Sequence, residues 1–570
     1  MLSKSIQFFC SCWLILLLTS CGSSGGGSSS SSSQAPLPYC ETVTSYSDSI
    51  TLTGTAKYEY RTNGNGAVAT AKPIRHAEIR VLNSSGTILQ CGETSANGTF
   101  SLSLPNNGEA ATVYITSRSF NNHLKAYVLN NPTNNSFHSI STSVTLNSSK
   151  SIGTLKAPAT GTLPGGAFNI LDKLLDANDF LRDETDGCTT TFAQCTPFTV
   201  APLVTAYWTA GVNPGVYVGG GVVSFYIPTD RELYILGGID GNVDSSDTDH
   251  FDDSIILHEY GHFLEDVYSR TNSPGGAHNG NTILDPRLAW GEGWANYFQA
   301  AVTGNPVYRD TFGTPLGLSG VYFNENLESG TDDSASTLGE GNFREFAITR
   351  ALWDITDTNN EGAGVDETSS SFSEFWTVFT SNTIGFAKSS LNFRNIGLFY
   401  EIQGSLSGGS DWSSVQTGEL QKDDLSDYSN TLDVGSSCGV VIQAANISGS
   451  QPENGTVSNS NQFASNDFYQ YTHSGGNLNI SLAYTTTGGN PADLDLYLYA
   501  NDYTFGQSDT VLASSTNSIN SGESSDTESI SLSSLAAGTY MININVYTKN
   551  RLGASANYTL TINSQPACPN

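Results

Sequence analysis

The chain has few basic residues and few charged residues of any kind. Its 570 residues include 23 Lys and Arg against 54 Asp and Glu, which gives a formal net charge of −31. Charged residues are 14% of the sequence, so uncharged polar side chains must cover most of the surface. Nothing in the sequence offers the basic stripe that nucleic-acid binding requires, and this excludes nucleic acid as an expected partner.

Long apolar runs are absent after the first twenty residues, so no later segment is expected to span a bilayer. The N-terminal stretch MLSKSIQFFCSCWLILLLTSC has an early lysine and then an apolar run, which is typical of a secretory signal. Its ending resembles a bacterial lipobox, in which Cys21 becomes the lipidated N-terminus. The resemblance implies a lipoprotein signal peptide over residues 1–20 and a Ser/Gly-rich tether over residues 21–39.

The same resemblance implies a destination. Gly22 rather than Asp after the cysteine suits the outer membrane by the lipoprotein sorting rule. We therefore expect a bacterial outer-membrane protein that is held by its lipid and faces the periplasm or the cell exterior. An ordinary signal peptide cut near Ser20 is the alternative.

Cysteine pairs with CxxC spacing are also absent, which argues against a cysteine metal site. Beyond the signal and Cys21 six cysteines remain, and an even set in a secreted chain suggests disulfides. Their positions favour pairing within domains, although about fifteen connectivities remain open. The favoured pairs are Cys40 with Cys91, Cys188 with Cys195, and Cys438 with Cys568.

Residues 258–262, HEYGH, form an HExxH motif within a stretch whose apolar residues recur at helical spacing. Residues four apart lie one above the other on a helix, so the His258 and His262 imidazoles face the same point. Two neutral imidazoles in this arrangement can hold one Zn²⁺. Glu259 would take a proton from a zinc-activated water and pass it to the leaving amine.

The third ligand determines the class of zinc site. A metzincin would have Gly and His where this chain has Glu265 and Tyr268, so that pattern is excluded. Glu292 lies on a second helix-periodic segment, LAWGEGWANYFQA, and suits a His₂Glu site. His278, in a Gly-rich loop, is the rival third ligand.

HEYGH followed by GEGWANYF resembles the gluzincin pattern of fungalysin-like and thermolysin-like bacterial zinc metallopeptidases. The resemblance implies a zincin-like domain with His258, His262 and Glu292 as zinc ligands and Glu259 as the general base. Thermolysin-like enzymes carry an Asp four residues after the third ligand, where it orients a ligand histidine. This chain has Asn296 at that position. The segment 342–362 would be a helix packed behind the active-site helices.

Zinc peptidases usually need a Tyr, His or Arg side chain to stabilise the tetrahedral oxyanion. Tyr308, Tyr322, Arg344 and His278 are the candidates for this role. The sequence does not choose among them.

An Asp-rich loop, residues 240–253, comes immediately before the HExxH helix. Asp240, Asn242 and Asp244 open like an EF-hand loop, but the Gly and Glu of the remaining pattern are missing. The loop therefore either binds Ca²⁺ or is a solvated loop that ends in an N-cap at Asp252 or Asp253.

Changes in the pattern of apolar and polar residues divide the chain into domains. Residues 40–157 alternate in short apolar and polar runs, which predicts an antiparallel β-sandwich. They resemble prealbumin-like, carboxypeptidase-regulatory-type domains. Residues 158–435 would form the zincin domain. Residues 436–570 again alternate in the way typical of β-strands, and they resemble the pre-peptidase C-terminal domain. The expected fold is multidomain, an α+β zincin-like catalytic domain flanked by two antiparallel β-sandwiches.

These features predict a zinc-dependent metalloendopeptidase that hydrolyses protein or peptide substrates outside the cytoplasm. The alternative is a non-catalytic surface adhesin or binding lipoprotein on a zincin scaffold. Preservation of both histidines, the glutamate and a third ligand favours the enzyme. An aminopeptidase would need an acidic anchor such as the GxMEN motif, and the sequence has none.

Overall fold

The structure, a computed structural model, is multidomain and rich in β-sheet. It describes residues 18–20, 35–61, 69–271, 273, 276–278, 286–311, 313, 322–328, 341–359, 367–381, 386, 394–418, 430–443, 466–487, 492–500, 511–519, 522–546 and 555–569. The predicted lipidation site Cys21 lies outside these residues, as does the tether as far as residue 34. Within the described ranges, no helix combines the length and the apolar character needed to cross a membrane.

Two four-stranded sheets form between residues 49 and 157. Their strands are β2 Ser49–Tyr60, β3 Thr70–Pro73, β4 Glu78–Asn83, β5 Ile88–Glu93, β6 Thr99–Pro105, β7 Ala110–Thr116, β10 Ser139–Thr145 and β11 Lys150–Ala157. One sheet has the order β10-β7-β4-β5, and the other has β11-β2-β3 with β6 also on β2. Side chains alternate between inside and outside, as on β6, where Phe100, Leu102 and Leu104 are buried.

The expected purely antiparallel sandwich is wrong in one respect, because β11 runs parallel to β2. A parallel pair needs a long crossover connection, and here the intervening strands of both sheets provide it.

A third sheet crosses the predicted domain boundary at residue 157. Its strands are β8 Arg118–Phe120, β9 Lys125–Leu129, β12 Val204–Tyr207, β13 Phe225–Ile227 and β14 Glu232–Tyr234, in the order β13-β14-β12-β9-β8. Strand β9 pairs in parallel with β12 and packs against the helix that connects them. One hydrophobic core accordingly runs from Ile50 to Val415, so the boundary at residue 157 does not separate two cores.

The described helices all begin after residue 163. They are α1 Pro164–Thr185, α2 Gly215–Val218, α3 Asp253–Tyr268, α4 Pro286–Thr303, α5 Glu345–Thr356, α6 Phe372–Thr380, α7 Ile396–Gly404 and α8 Ser413–Gly418. Short 3₁₀ turns lie at Cys188–Thr190 and Gly341–Phe343. Helix α5 falls within the segment 342–362 and packs on α4, as the sequence predicts.

Helix α3 begins where the sequence predicts, with Asp252 at the N-cap position. The Asp252 side chain does not cap the helix, however. Its carboxylate instead accepts hydrogen bonds from the backbone N–H and the hydroxyl of Thr311, each at 2.8 Å. The side chain therefore joins the start of α3 to a neighbouring strand.

That strand belongs to a hairpin beside α3. Strands β16 Val307–Thr311 and β17 Tyr322–Asn326 pair antiparallel, and β16 packs on α3 and α4. A further short pair joins β1 Leu18–Ser20 to β15 Gly276–His278.

The C-terminal strands build a ten-stranded sheet with its own core. They are β18 Asn430–Val434, β19 Val440–Gln443, β20 Asn466–His473, β21 Gly476–Thr487, β22 Leu494–Ala500, β23 Val511–Ser515, β24 Ser525–Leu535, β25 Gly538–Val546, β26 Ser555–Ile562 and β27 Gln565–Pro569. Pairing is antiparallel except between β18 and β20. The buried cluster contains only residues from Ile442 to Ala567.

Three disulfides join the six cysteines in the pairs that the sequence favours. They link Cys40 with Cys91, Cys188 with Cys195, and Cys438 with Cys568. Each bond closes a loop within one region of the chain, which restricts the unfolded state.

Two glycines allow α3, α4 and α5 to pack closely. A Cβ atom at Gly261 of α3 would lie 3.1 Å from the Cα of Ala295 on α4. A Cβ atom at Gly293 of α4 would lie 2.6 Å from the Cγ2 of Ile348 on α5. A methyl group at Gly293 would therefore overlap Ile348, and one at Gly261 would require its neighbour to move by a few tenths of an ångström.

We predict that Gly293→Ala destabilises the protein by about 1–3 kcal/mol, because the added methyl group overpacks the contact with Ile348. Gly291→Ala is the matched control on the same helix, since its Cβ would meet nothing closer than Glu265 Oε2 at 3.4 Å. The control should be neutral or stabilising by up to about 1 kcal/mol, from helix propensity. Urea unfolding of both variants measures this difference, and equal effects would contradict the packing argument.

Candidate metal centre

Three side chains from α3 and α4 converge on one point. The Nε2 atoms of His258 and His262 lie 3.1 Å apart, and each lies 3.3 Å from Oε2 of Glu292. The helical i, i+4 spacing aligns the two imidazoles, and the close crossing near Gly261 brings Glu292 to them. All three side chains are largely buried.

These distances fit a tetrahedral zinc ion. Two ligand atoms about 2.05 Å from a tetrahedral centre are separated by about 3.3 Å. The donor set, two imidazole nitrogens and one carboxylate oxygen, is one that Zn²⁺ accepts with its fourth position open. The residues present therefore fit the metal.

The charges at this point also suit a cation. Burial opposes ionisation of Glu292, but His278, His262 and His258 hold its pKa well below the ordinary value. Burial likewise opposes the charged form of His262, but Glu292 raises the pKa of this imidazole to about 9. A metal must therefore displace a proton from His262 at neutral pH, so metal affinity should rise with pH.

Glu259, the residue predicted to act as general base, lies beside the ligands and is 7% exposed. Burial raises the pKa of its carboxyl group, while His258 and His262 oppose the rise. A carboxylate with a raised pKa and a nearby metal is suited to accepting and returning a proton.

Asn296 contacts the first ligand histidine from the position where thermolysin-like enzymes have Asp. Its Oδ1 lies 2.8 Å from Nδ1 of His258. An amide oxygen can only accept, so His258 donates through Nδ1–H and keeps the lone pair of Nε2 for the metal. Asn296 in turn donates from Nδ2 to Oε1 of Glu345 at 2.8 Å, which fixes the direction of its amide. Histidine, amide and carboxylate thus form a chain through α3, α4 and α5.

His278, the rival third ligand, contacts Glu292 instead of completing the ligand cluster. Its Nε2 lies 3.4 Å from Oε2 of Glu292. Among the described residues, the metal-ligating side chains that converge here are His258, His262 and Glu292. His278 therefore adds positive charge or a hydrogen bond beside the third ligand.

The candidates for oxyanion stabilisation lie in different surroundings. Tyr308 is buried, and its ring lies 6.1 Å from the His258 ring in an edge-on contact. Burial raises the pKa of its phenol well above the ordinary value, so the hydroxyl stays protonated and can donate. Arg344 is fully buried and immediately precedes Glu345. The backbone of Tyr322 pairs with Thr311 in the hairpin, but its side chain lies outside the described part of the structure.

The three residues predicted to bind calcium are exposed loop residues. Asn242 uses its side-chain oxygen to accept hydrogen bonds from the backbone N–H groups of Asp244 and Ser245, both at 3.0 Å. Asp240 has a left-handed backbone, with φ of 51°. The contacts of this segment are those of a solvated turn, and calcium at these residues stays a prediction.

Sequence reasoning missed Glu345 and a second group of acidic side chains. Glu345 lies in a segment whose apolar periodicity indicates only a packing helix, so its contact with Asn296 has no local signal. Outside the ligand set, the described residues contain one further convergent group, Asp247, Asp249 and Asp310. The first two belong to the Asp-rich loop, and the third follows 61 positions after Asp249 on β16.

Comparison with known proteins relates this region to peptidases. A family model described as the mycolysin C-terminal domain matches residues 193–392, a range that contains the three ligands and Glu259. No curated protein matches the chain. Among solved structures, the pre-peptidase C-terminal domain of a collagenase from Bacillus anthracis matches at 12% identity with a TM-score of 0.14. That match covers 22% of this chain and 88% of the other.

We predict that Asn296→Ala weakens zinc binding by about 10- to 100-fold, because His258 loses the acceptor that fixes its tautomer. Asn296→Asp should also weaken zinc binding, since it places a second carboxyl group about 2.8 Å from Glu345. The double variant Asn296→Asp with Glu345→Gln restores a complementary pair and should recover most of the affinity. Competition with a chromogenic chelator measures all three, and wild-type affinity in Asn296→Ala would refute the orienting role.

Proposed function

We propose that this protein is a zinc-dependent metalloendopeptidase that acts outside the cytoplasm. The observation that carries the proposal is the convergence of His258, His262 and Glu292 within 3.1–3.3 Å of one another, with Glu259 beside them. The family match over residues 193–392 supports a link to peptidases. We also propose the zincin-like character of the helical region on this geometry and on the HEYGH…GEGWA pattern.

The protein's own residues divide the reaction between them. Bound Zn²⁺ would supply a Lewis acid at the scissile carbonyl group. Glu259 accepts a proton from the attacking water as the new C–O bond forms. It then delivers that proton to the leaving nitrogen when the tetrahedral adduct collapses and the peptide C–N bond breaks. The buried carboxyl group of Glu259, with its raised pKa, suits both halves of this transfer.

The protonated phenol of Tyr308 is our choice as donor to the oxyanion. It faces the His258 ring and is held neutral by burial and by nearby carboxylates. A preorganised donor in a site closed to water stabilises developing charge more than it would in solvent. His278, beside Glu292, is the second candidate.

We predict that Glu259→Gln lowers the rate of cleavage of an unfolded protein substrate by at least about 10²-fold. Zinc should stay bound, because the three ligands are unchanged. The matched control is Asp266→Asn, which also replaces a carboxylate with an amide, two turns later on α3, where the side chain accepts a hydrogen bond from Tyr226. The control should keep the wild-type rate. Cleavage and zinc content of both variants test the assignment.

Three other results are informative. Equal cleavage by wild type and Glu259→Gln would refute the general-base role. Bound zinc without cleavage in either protein would point to a latent or highly selective enzyme. If the protein neither binds zinc nor cleaves, a non-catalytic binding protein becomes the better explanation.

We further propose that Cys21 carries a lipid that anchors the protein to the outer membrane. Cys21→Ser removes the thiol that accepts the lipid, so the protein should move from the membrane fraction to the soluble fraction and lose labelled fatty acid. Cys12→Ser, within the predicted signal, is the matched control and should remain membrane-bound. A soluble wild-type protein would indicate an ordinary signal peptide.

A further inference from the structure

A second group of acidic side chains lies next to the candidate metal centre. One carboxylate oxygen from each of Asp247, Asp249 and Asp310 lies within 4.8 Å of the other two. Asp247 and Asp249 belong to the loop that leads into α3, and Asp310 belongs to strand β16. The group is thus assembled by tertiary structure and not by one loop alone.

Buried oxygens in this group lack donors. Asp249 is 3% exposed, and its Oδ2 accepts a hydrogen bond from Ser224. Its Oδ1, with Oδ1 of Asp247 and of Asp310, is enclosed and receives no hydrogen bond from the described residues. An enclosed carboxylate oxygen without a donor is costly, because it has lost its water and gained nothing in return. Each of the three converging carboxyl groups thus has one enclosed oxygen without a donor, and this indicates an absent positive partner.

Within the described residues, the charged groups that act most strongly on Asp249 and Asp310 are themselves carboxyl groups. Burial and the other carboxyl groups raise the pKa values of Asp249 and Asp310, and burial raises that of Asp247 to about 6. Asp252 adds a fourth buried carboxylate close by. His250, which lies between them in sequence, is fully buried, and burial lowers its pKa to about 3, so its ring is neutral.

We propose that Asp247, Asp249 and Asp310 bind a Ca²⁺ ion that fastens the loop before α3 to strand β16. An all-oxygen donor set selects a hard cation, and Ca²⁺ tolerates the irregular geometry of ligands from a loop and a distant strand. Backbone carbonyl groups and water usually complete its shell of about six to eight ligands. The site is separate from the zinc ligands and does not depend on the proposed peptidase activity.

The position of the ion gives it a structural role at the active site. Asp249 lies four residues before the first residue of α3, and Asp310 lies two residues after Tyr308. Hydrogen bonds already join the same two segments, from Gly313 N–H to the Ser246 carbonyl at 2.7 Å and from Thr311 to Asp252. The cation would neutralise the repulsion that otherwise separates them and so fix Tyr308 against His258.

The test uses the full chain, freed of metals, reloaded with zinc and titrated with CaCl₂ to about 10 mM, a range that covers extracellular calcium sites. Calorimetry measures binding, and thermal unfolding is followed in parallel. The variants are Asp249→Asn and Asp310→Asn. The matched control is Asp244→Asn, which alters an exposed carboxylate of the same loop and of the EF-like segment. MgCl₂ replaces CaCl₂ in a further arm.

We expect calcium to raise the unfolding temperature of the wild type and of Asp244→Asn by roughly 5 °C. Asp249→Asn and Asp310→Asn should bind one calcium ion fewer and show no such shift. Without calcium, these variants should be at least as stable as the wild type, because each removes one repelling charge. If either fails to fold, Asp247→Asn, at a half-buried position, takes its place.

Several results would overturn the proposal. They are a wild-type protein that calcium neither binds nor stabilises, calcium binding retained in Asp310→Asn, and calcium binding lost in Asp244→Asn. A wild-type response to MgCl₂ equal to that to CaCl₂ would reject calcium as the ion. Insensitivity to both ions would mean that the carboxyl groups share protons instead.

Discussion

The close packing of helices α3, α4 and α5 is the constraint on which the candidate metal centre depends. A zinc ligand must be placed to within a few tenths of an ångström, and here one of the three candidate ligands comes from a different helix. The helices pack closely where Gly261 meets Ala295 and where Gly293 meets Ile348, and the second contact leaves no room for a Cβ atom. One of these glycines lies inside the HExxH motif and the other directly follows Glu292. The candidate metal ligands and the glycines that let the helices pack closely are therefore neighbours in the sequence.

A buried polar chain turns this packing into a defined ligand orientation. His258 on α3 donates to Asn296 on α4, which donates to Glu345 on α5. An Asp at position 296 would orient the imidazole and also place a negative charge directly against it. With Asn296, the nearest carboxylate in this chain is that of Glu345, and it acts on the imidazole only through the amide. His258 is still oriented, but its Nε2 lone pair is less basic than it would be beside a carboxylate. At the end of this chain, Oε1 of Glu345 accepts from Asn296, whereas its buried Oε2 receives no hydrogen bond from the described residues.

Features that depend on neighbouring residues could be predicted from the sequence, whereas contacts between distant segments could not. The convergence of His258 and His262 is a local consequence of helical periodicity, and it is readable from five residues. Glu292 is a candidate from its helix-periodic segment and the His₂Glu donor set, but no local rule shows that its helix meets the helix of the two histidines. Asn296 occupies a position that the gluzincin pattern marks, whereas its partner Glu345 lies in a segment that periodicity marks only as a core helix. The acidic loop indicates calcium, and the ligand pattern of a continuous loop favours Asp240, Asn242 and Asp244. The convergent group needs Asp310 from a strand beyond α4, and no spacing rule spans that interval.

The N-terminal β region shares a core with the helices, and the C-terminal β region does not. The two regions have similar alternating sequence patterns, so the sequence did not predict this difference. The C-terminal strands enclose a core of their own, from Ile442 to Ala567. The N-terminal strands instead share a core with the helices and donate β9 to the mixed sheet. Tyr60, at the end of β2, also donates a hydrogen bond at 2.9 Å to Asp253, the first residue of α3. The helix that carries HEYGH is therefore held at its N-terminus by the N-terminal sheet and, through Asp252, by β16. An accessory domain that could be removed without loss would not hold the helix that carries HEYGH in this way, so the N-terminal sheets belong to the scaffold of the candidate metal centre.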